Sequence, residues 1–202
     1  MQKNRLEAFS DGVIAIIITI MVLNLPIPDG ATPTALETKS LPVFFVSYLL
    51  SFFYVGIYWN NHHHMLHATQ KVSGGILWAN LHLLFWLSLI PFATAWMAKT
   101  WISEPPAIPT AVYGFVLLMA AIAYYILQTA IIHKEGRHAM LAAAIGTDWK
   151  GKCSLIIYAT TIPMAFVPSW GPWISNTLFI IMGLMWLVPD KRIERVIEKH
   201  GE

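Results

Sequence analysis

Asp11 opens the first apolar stretch of the chain, and Arg5 stands six residues before it. A charge at the edge of hydrocarbon is costly unless it is paired, so each asks for a partner. A separation of six is not a helix-neighbour spacing, which sends the search to other segments. Trp59, His62, His63, His64, Asn80 and His82 are the polar candidates at the same end of two later apolar stretches.

Three chemistries suit such a set. The preferred reading is a buried polar network through Arg5, Phe9-Ser10-Asp11-Gly12 and these later residues, fixing the angle of the first helix against its neighbours. A proton- or cation-coupled secondary transporter would instead use Asp11 and the histidines as its working groups. A metal-dependent membrane enzyme would use the histidines as ligands, since eight are present and His63 and His67 have i, i+4 spacing. The metal set is thin: His82, His133, His138 and His200 lack boxed neighbours, and no Asp or Glu completes the cluster. No metal and no cofactor is expected. Glycine-rich phosphate loops, His-Glu-x-x-His and Gly-x-Ser-x-Gly are absent as well, so the chain does not read as an enzyme. A plainer role for Ser10 or Asp11 is to cap a helix start.

These residues must be held by helices in a bilayer. The chain has 202 residues, 56% hydrophobic and only 12% charged, against about 25% charged in ordinary globular proteins. A span needs about 20 apolar residues, and several runs of that kind carry no charge. The reading is an all-α, polytopic membrane protein, one domain over 1–202 with six spans near 4–25, 41–62, 74–98, 107–132, 147–168 and 172–188. The residues 190–202 form a tail. Pro26, Pro28 and Gly30 end the first span, and Pro168-Ser169-Trp170-Gly171-Pro172 turns the last two into a hairpin. Pro91 and Pro163 predict kinks.

Charge tests the count. With the amino terminus inside, eleven of the thirteen Lys and Arg residues lie on the cytoplasmic side, leaving Lys39 and Lys99 outside. Both termini are therefore expected to be cytoplasmic. The net charge of +2 is spread over the span ends, which gives nucleic acid no basic patch. Cys153 stands alone, so no intrachain disulfide is possible.

The first helix divides into two faces. At 100° per residue Ile16, Ile20 and Leu23 fall within about 60° of one another with Thr19 at the edge, while Asp11 points roughly 140° from Ile16. Most such stripes face lipid or a neighbouring helix. Yet Arg5-x-x-x-Phe9-Ser10-Asp11-Gly12, opening a first span, resembles the R-x-x-x-F-S-D signature of the transmembrane protein 175 family, the endolysosomal potassium channels and their prokaryotic relatives. Tyr58-Trp59 with the following histidines and Leu89-Ile90-Pro91-Phe92 extend the likeness more loosely.

The resemblance implies that the first helix lines a pore narrowed by bulky aliphatic side chains. Ile16, Thr19, Ile20 and Leu23 would be the constriction, a hydrophobic gate of modest potassium-over-sodium discrimination. It also implies four copies around one axis, a homotetramer in membrane lipid whose permeant species are potassium and other monovalent cations. A single-repeat chain of this kind reads as prokaryotic, placed in the plasma membrane.

Overall fold

The computed structural model describes residues 3–28, 30–31, 40–101, 103–136 and 148–187. Among them are seven helices and no strand: α1 Lys3–Val22, α2 Ser40–His67, α3 Gly74–Ser88, α4 Ile90–Thr100, α5 Ala107–Glu135, α6 Trp149–Met164 and α7 Gly171–Leu187. α3 and α4 are two halves of one rod, giving six rods in all. Three of these, 41–67, 74–100 and 107–135, are long and apolar enough to cross a membrane by length and composition. α1 misses that standard because Lys3, Arg5, Glu7 and Asp11 load its first turns, while α6 and α7 have 16 and 17 residues.

The helix ends have local causes. Pro91 has no N–H to offer the carbonyl of Leu87, so the third rod breaks at Leu89, and α4 restarts with proline in its first turn. The interruption is confined to Leu89, whose φ of −86° and ψ of −12° stay right-handed helical, so 74–100 continues as one rod. Pro163 falls one residue before α6 ends at Met164, and a compact turn then leads to Gly171. There a Cβ would collide with the Met164 carbonyl, which only glycine avoids. α2 runs on to His67, past the end near residue 62 read from the Asn-Asn-His-His-His run. Buried His62, Met65 and Leu66 keep an inward face going with no proline or glycine to stop it. The connector 137–147 and the tail 188–202 lie outside the described residues.

α5 is the central post, packed on α3, α4, α6 and α7. Its inward residues combine large and small side chains, Tyr113, Leu117, Ala120, Ala123 and Leu127, all fully buried. At Gly114 the added Cβ of any other residue would lie 2.8 Å from Thr161 Oγ1 and 3.2 Å from the Phe179 ring. Close packing of this kind is what helix association in lipid depends on, since apolar burial gains little there. α1 leans on the other side, against α2, α3 and α4, with Leu6, Ser10, Ile14, Ile17 and Met21 turned inward.

Hydrogen bonds show which helix ends share an end of the bundle. Lys3 Nζ donates to the His67 carbonyl at 2.6 Å, and Glu135 accepts from the backbone N–H groups of Gln70 and Lys71. Gln128 Nε2 reaches Asp148, and Trp186 Nε1 donates to Ser154 Oγ at 2.9 Å. The starts of α1, α3 and α6 and the ends of α2, α5 and α7 therefore lie together, where Lys3, Lys71, Lys134 and Lys150 collect. At the opposite end Trp101 meets Trp173 edge to face at 5.6 Å.

Candidate functional site

Ser10 is the turning point of the polar network. Its Oγ donates to the Leu6 carbonyl at 2.9 Å and accepts from Asn80 Nδ2 at 2.9 Å, while Asn80 Oδ1 lies 2.7 Å from His62 Nε2. All three side chains are buried. An amide oxygen only accepts, so His62 carries its proton on Nε2 here. The chain of donors runs His62 to Asn80 to Ser10 to Leu6 and ties α2, α3 and α1 together. His62 Nδ1 is left buried without a partner among the described residues.

Asp11 belongs to a second, outer layer. Trp59 Nε1 donates to its Oδ1 at 3.0 Å, bridging α2 to α1. The Trp59 ring stacks on His63 and His63 on His67, each pair with centroids 6.1 Å apart, and His64 meets the edge of His63. Ser10 and Asp11 do not cap a helix: α1 starts at Lys3, and both residues sit in its second and third turns.

Other candidates lie apart from this network. His82 Nε2 accepts from Trp86 Nε1 one turn further along its own helix at 2.9 Å. Arg5 is exposed and has no hydrogen bond or ion pair among the described residues, and Phe9 and Gly12 are exposed on the same helix. No group of three His, Cys, Asp or Glu side chains suited to a metal converges among the described residues.

The aliphatic stripe lies bare on the single chain. Ile16 is 61% exposed, Ile20 46% and Leu23 78%. α1 ends at Val22, and Leu23 follows in a tightened turn, its N–H bonded to the Ile20 carbonyl at 3.2 Å. Thr19 Oγ donates to the carbonyls of Ala15 at 2.9 Å and Ile16 at 3.1 Å, which spends its proton on its own helix and leaves its lone pairs outward. Beside the stripe runs an exposed row of small residues, Ala8, Gly12, Ala15 and Thr19. That row lies roughly opposite the buried face at 100° per residue.

A set of hydroxyls escaped sequence reasoning altogether. Thr94 Oγ1 donates to the Ile90 carbonyl, so it must accept from Ser51, 2.7 Å away, and Ser51 in turn accepts from Tyr113 at 3.0 Å. This clamp holds α4, just past its break, to α2 and α5. Lone Ser, Thr and Tyr residues in apolar runs carry no sign of their partners.

Residues 5–91 match the family model described as endosomal/lysosomal potassium channel TMEM175. A potassium channel of a Chryseobacterium species is 49% identical over 200 residues, covering 99% of this chain and all of the relative. A potassium channel of Streptomyces collinus is 30% identical over 173 residues, 82% of this chain and 84% of that one. In fold, the chain is similar to the crystal structure of a lysosomal potassium-selective channel TMEM175 homolog from Chamaesiphon minutus. The TM-score is 0.73 at 23% identity, over 93% of this chain and 97% of the other.

Proposed function

This chain belongs to the TMEM175 family, and from that premise we propose that it is a potassium-permeable channel whose pore is lined by α1 of four assembled copies. The observation that carries the reading is the bare stripe of Ile16, Ile20 and Leu23 on a helix whose other face is pinned by Ser10, Asn80, Asp11 and Trp59. Four such stripes around an axis form stacked apolar rings about one helical turn apart. A ring of this kind gates by wetting and drying, so a small change in helix angle switches conduction. The row Ala8, Gly12, Ala15 and Thr19 suits close approach to the next copy.

Selectivity in this arrangement is modest. Along the stripe Ile16, Ile20 and Leu23 carry no polar side-chain atom, and Thr19 at its edge offers the one side-chain oxygen to a partly dehydrated ion. The excess of Lys and Arg supports an orientation with the basic end of the bundle and both termini cytoplasmic, in a prokaryotic plasma membrane. Asp11 and the histidines set helix angle and do not carry substrate.

Reconstitution of the full chain into liposomes tests this, with potassium on one face and sodium on the other. Resolved unitary currents with a reversal potential displaced toward potassium are expected, and Leu23→Asn should raise the time spent conducting. Slow exchange without unitary steps would make the protein a carrier and overturn the pore.

A further inference from the structure

At the basic end of the bundle α2, α5, α6 and α7 leave a cavity of ≈ 80 Å³ to which α1 contributes nothing, so it lies outside the proposed pore. Its walls include the rings of Tyr54, Tyr58, Tyr124, Tyr158 and Trp186. Tyr58 and Tyr124 meet edge to face with centroids 6.1 Å apart, and Tyr54 and Tyr158 are tilted at 6.4 Å. The polar part of the lining is the Asp148 carboxylate with Asn61, Gln128 and Ser154. Among the described residues no Lys, Arg or His lines it.

That combination selects for one class of ligand. An anion inside the cavity would meet a carboxylate and ring faces, with Lys150 outside the lining on the Trp186 ring. A hydrocarbon would leave Asp148 Oδ2 with only the distant Gln128 amide at 3.5 Å. An organic cation meets both, since aromatic faces attract ammonium groups most strongly where water is excluded. The carboxylate is fixed in place as the N-cap of α6: Asp148 has φ 41°, its Oδ1 accepts from the Gly151 N–H at 3.2 Å, and Gln128 approaches Oδ2 only to 3.5 Å. Oδ2 thus keeps acceptor capacity toward the cavity. Trp186 already draws a cation, with Lys150 Nζ 5.8 Å from its ring centroid.

We propose that this cavity binds a small alkylammonium group, enclosed by the tyrosine and tryptophan rings and neutralised by Asp148. The group is supplied either by an ethanolamine lipid headgroup, whose phosphate would meet Lys150 beside the cavity, or by a free amine.

The test uses the full-length protein. Tetramethylammonium chloride should raise its unfolding temperature saturably above the effect of equal sodium chloride. Asp148→Asn keeps an oxygen for the Gly151 N–H and should weaken that binding about tenfold, the loss expected for a charged partner. Tyr58→Leu should weaken it as well, whereas Tyr58→Phe retains the ring and the binding, which keeps the test open if Asp148→Asn does not fold. Mass spectrometry of protein taken from mixed phosphatidylethanolamine and phosphatidylglycerol vesicles separates the sources. Retained ethanolamine lipid that tetramethylammonium displaces assigns the headgroup, and tetramethylammonium binding with no retained lipid assigns a soluble amine. No shift beyond sodium chloride overturns the proposal, as does a shift that the cavity variants leave unchanged, because the cation would then sit elsewhere, the pore included.

Discussion

Asn80 is the residue on which three helices agree, because its amide both accepts from His62 and donates to Ser10. Replacing it with Leu leaves a buried imidazole N–H and a hydroxyl oxygen unanswered, at a cost of about 1–3 kcal/mol. Asn80→Leu should therefore lower the unfolding temperature of the purified protein clearly, and an unchanged melting curve would show the chain to be idle. Trp59 differs, being 43% exposed. Trp59→Phe removes one N–H from Asp11 and should cost less than about 1 kcal/mol, so folding survives while open probability changes and the reversal potential does not. Currents identical to the parent would detach Asp11 from gating. Residue type and depth pointed to Ser10, Asp11, Trp59, His62 and Asn80, and equally to Arg5, Phe9, Gly12 and His82, which lie apart. The pairings were not legible, since they depend on the register of α2 against α3, and His82, two positions after Asn80, turns to a different face and to Trp86.

At the level of elements, the broken third rod is the departure from a plain bundle. Proline was readable as an interruption, but the clamp that makes use of it was not: Thr94, a turn past the break, is bound through Ser51 to Tyr113. Pro91→Ala supplies the missing donor for the Leu87 carbonyl and should extend α3 through Leu89. Slower amide exchange at residues 89 and 90 without a loss of unfolding temperature is the expected result, and unchanged exchange would place the cause of the break elsewhere. The contact of α5 with α6 and α7 is less forgiving. Gly114→Val drives a branched side chain into Thr161 and Phe179 and should cost about 1–3 kcal/mol, read as reduced yield of folded protein and an earlier melt. Helix ends were legible where proline and glycine marked them. The extension of α2 to His67 was not, because polar histidines read as a loop until buried Met65 and Leu66 show that the helix goes on.

For the whole molecule, the proposed pore requires further copies, because the face of α1 carrying Ile16, Ile20 and Leu23 is left uncovered on the single chain. Assembly is therefore tested directly. In a Cys153→Ser background, Leu23→Cys should form disulfides between copies, and crosslinking with a longer reagent should reach four chains. A ladder that stops at two would rule out the fourfold pore. The short motif at Arg5 to Gly12 placed the chain in its family and the charge balance suggested its topology, yet neither contains the axis, which exists only between copies. One asymmetry of α1 bears on how such an assembly works. Among the described residues its side-chain hydrogen bonds to other helices come from Lys3, Ser10 and Asp11, all in its first half. Beyond them only apolar contacts steady it. The helix is clamped by polar bonds at its root, and its arm from Asp11 to Leu23, about 18 Å at 1.5 Å per residue, is held against its neighbours by the buried side chains of Ile14, Ile17 and Met21. Deflecting that arm by about 5° carries its tip roughly 1.5 Å, so four arms swinging together would change the bore by about twice that amount while every bond at the root stays made.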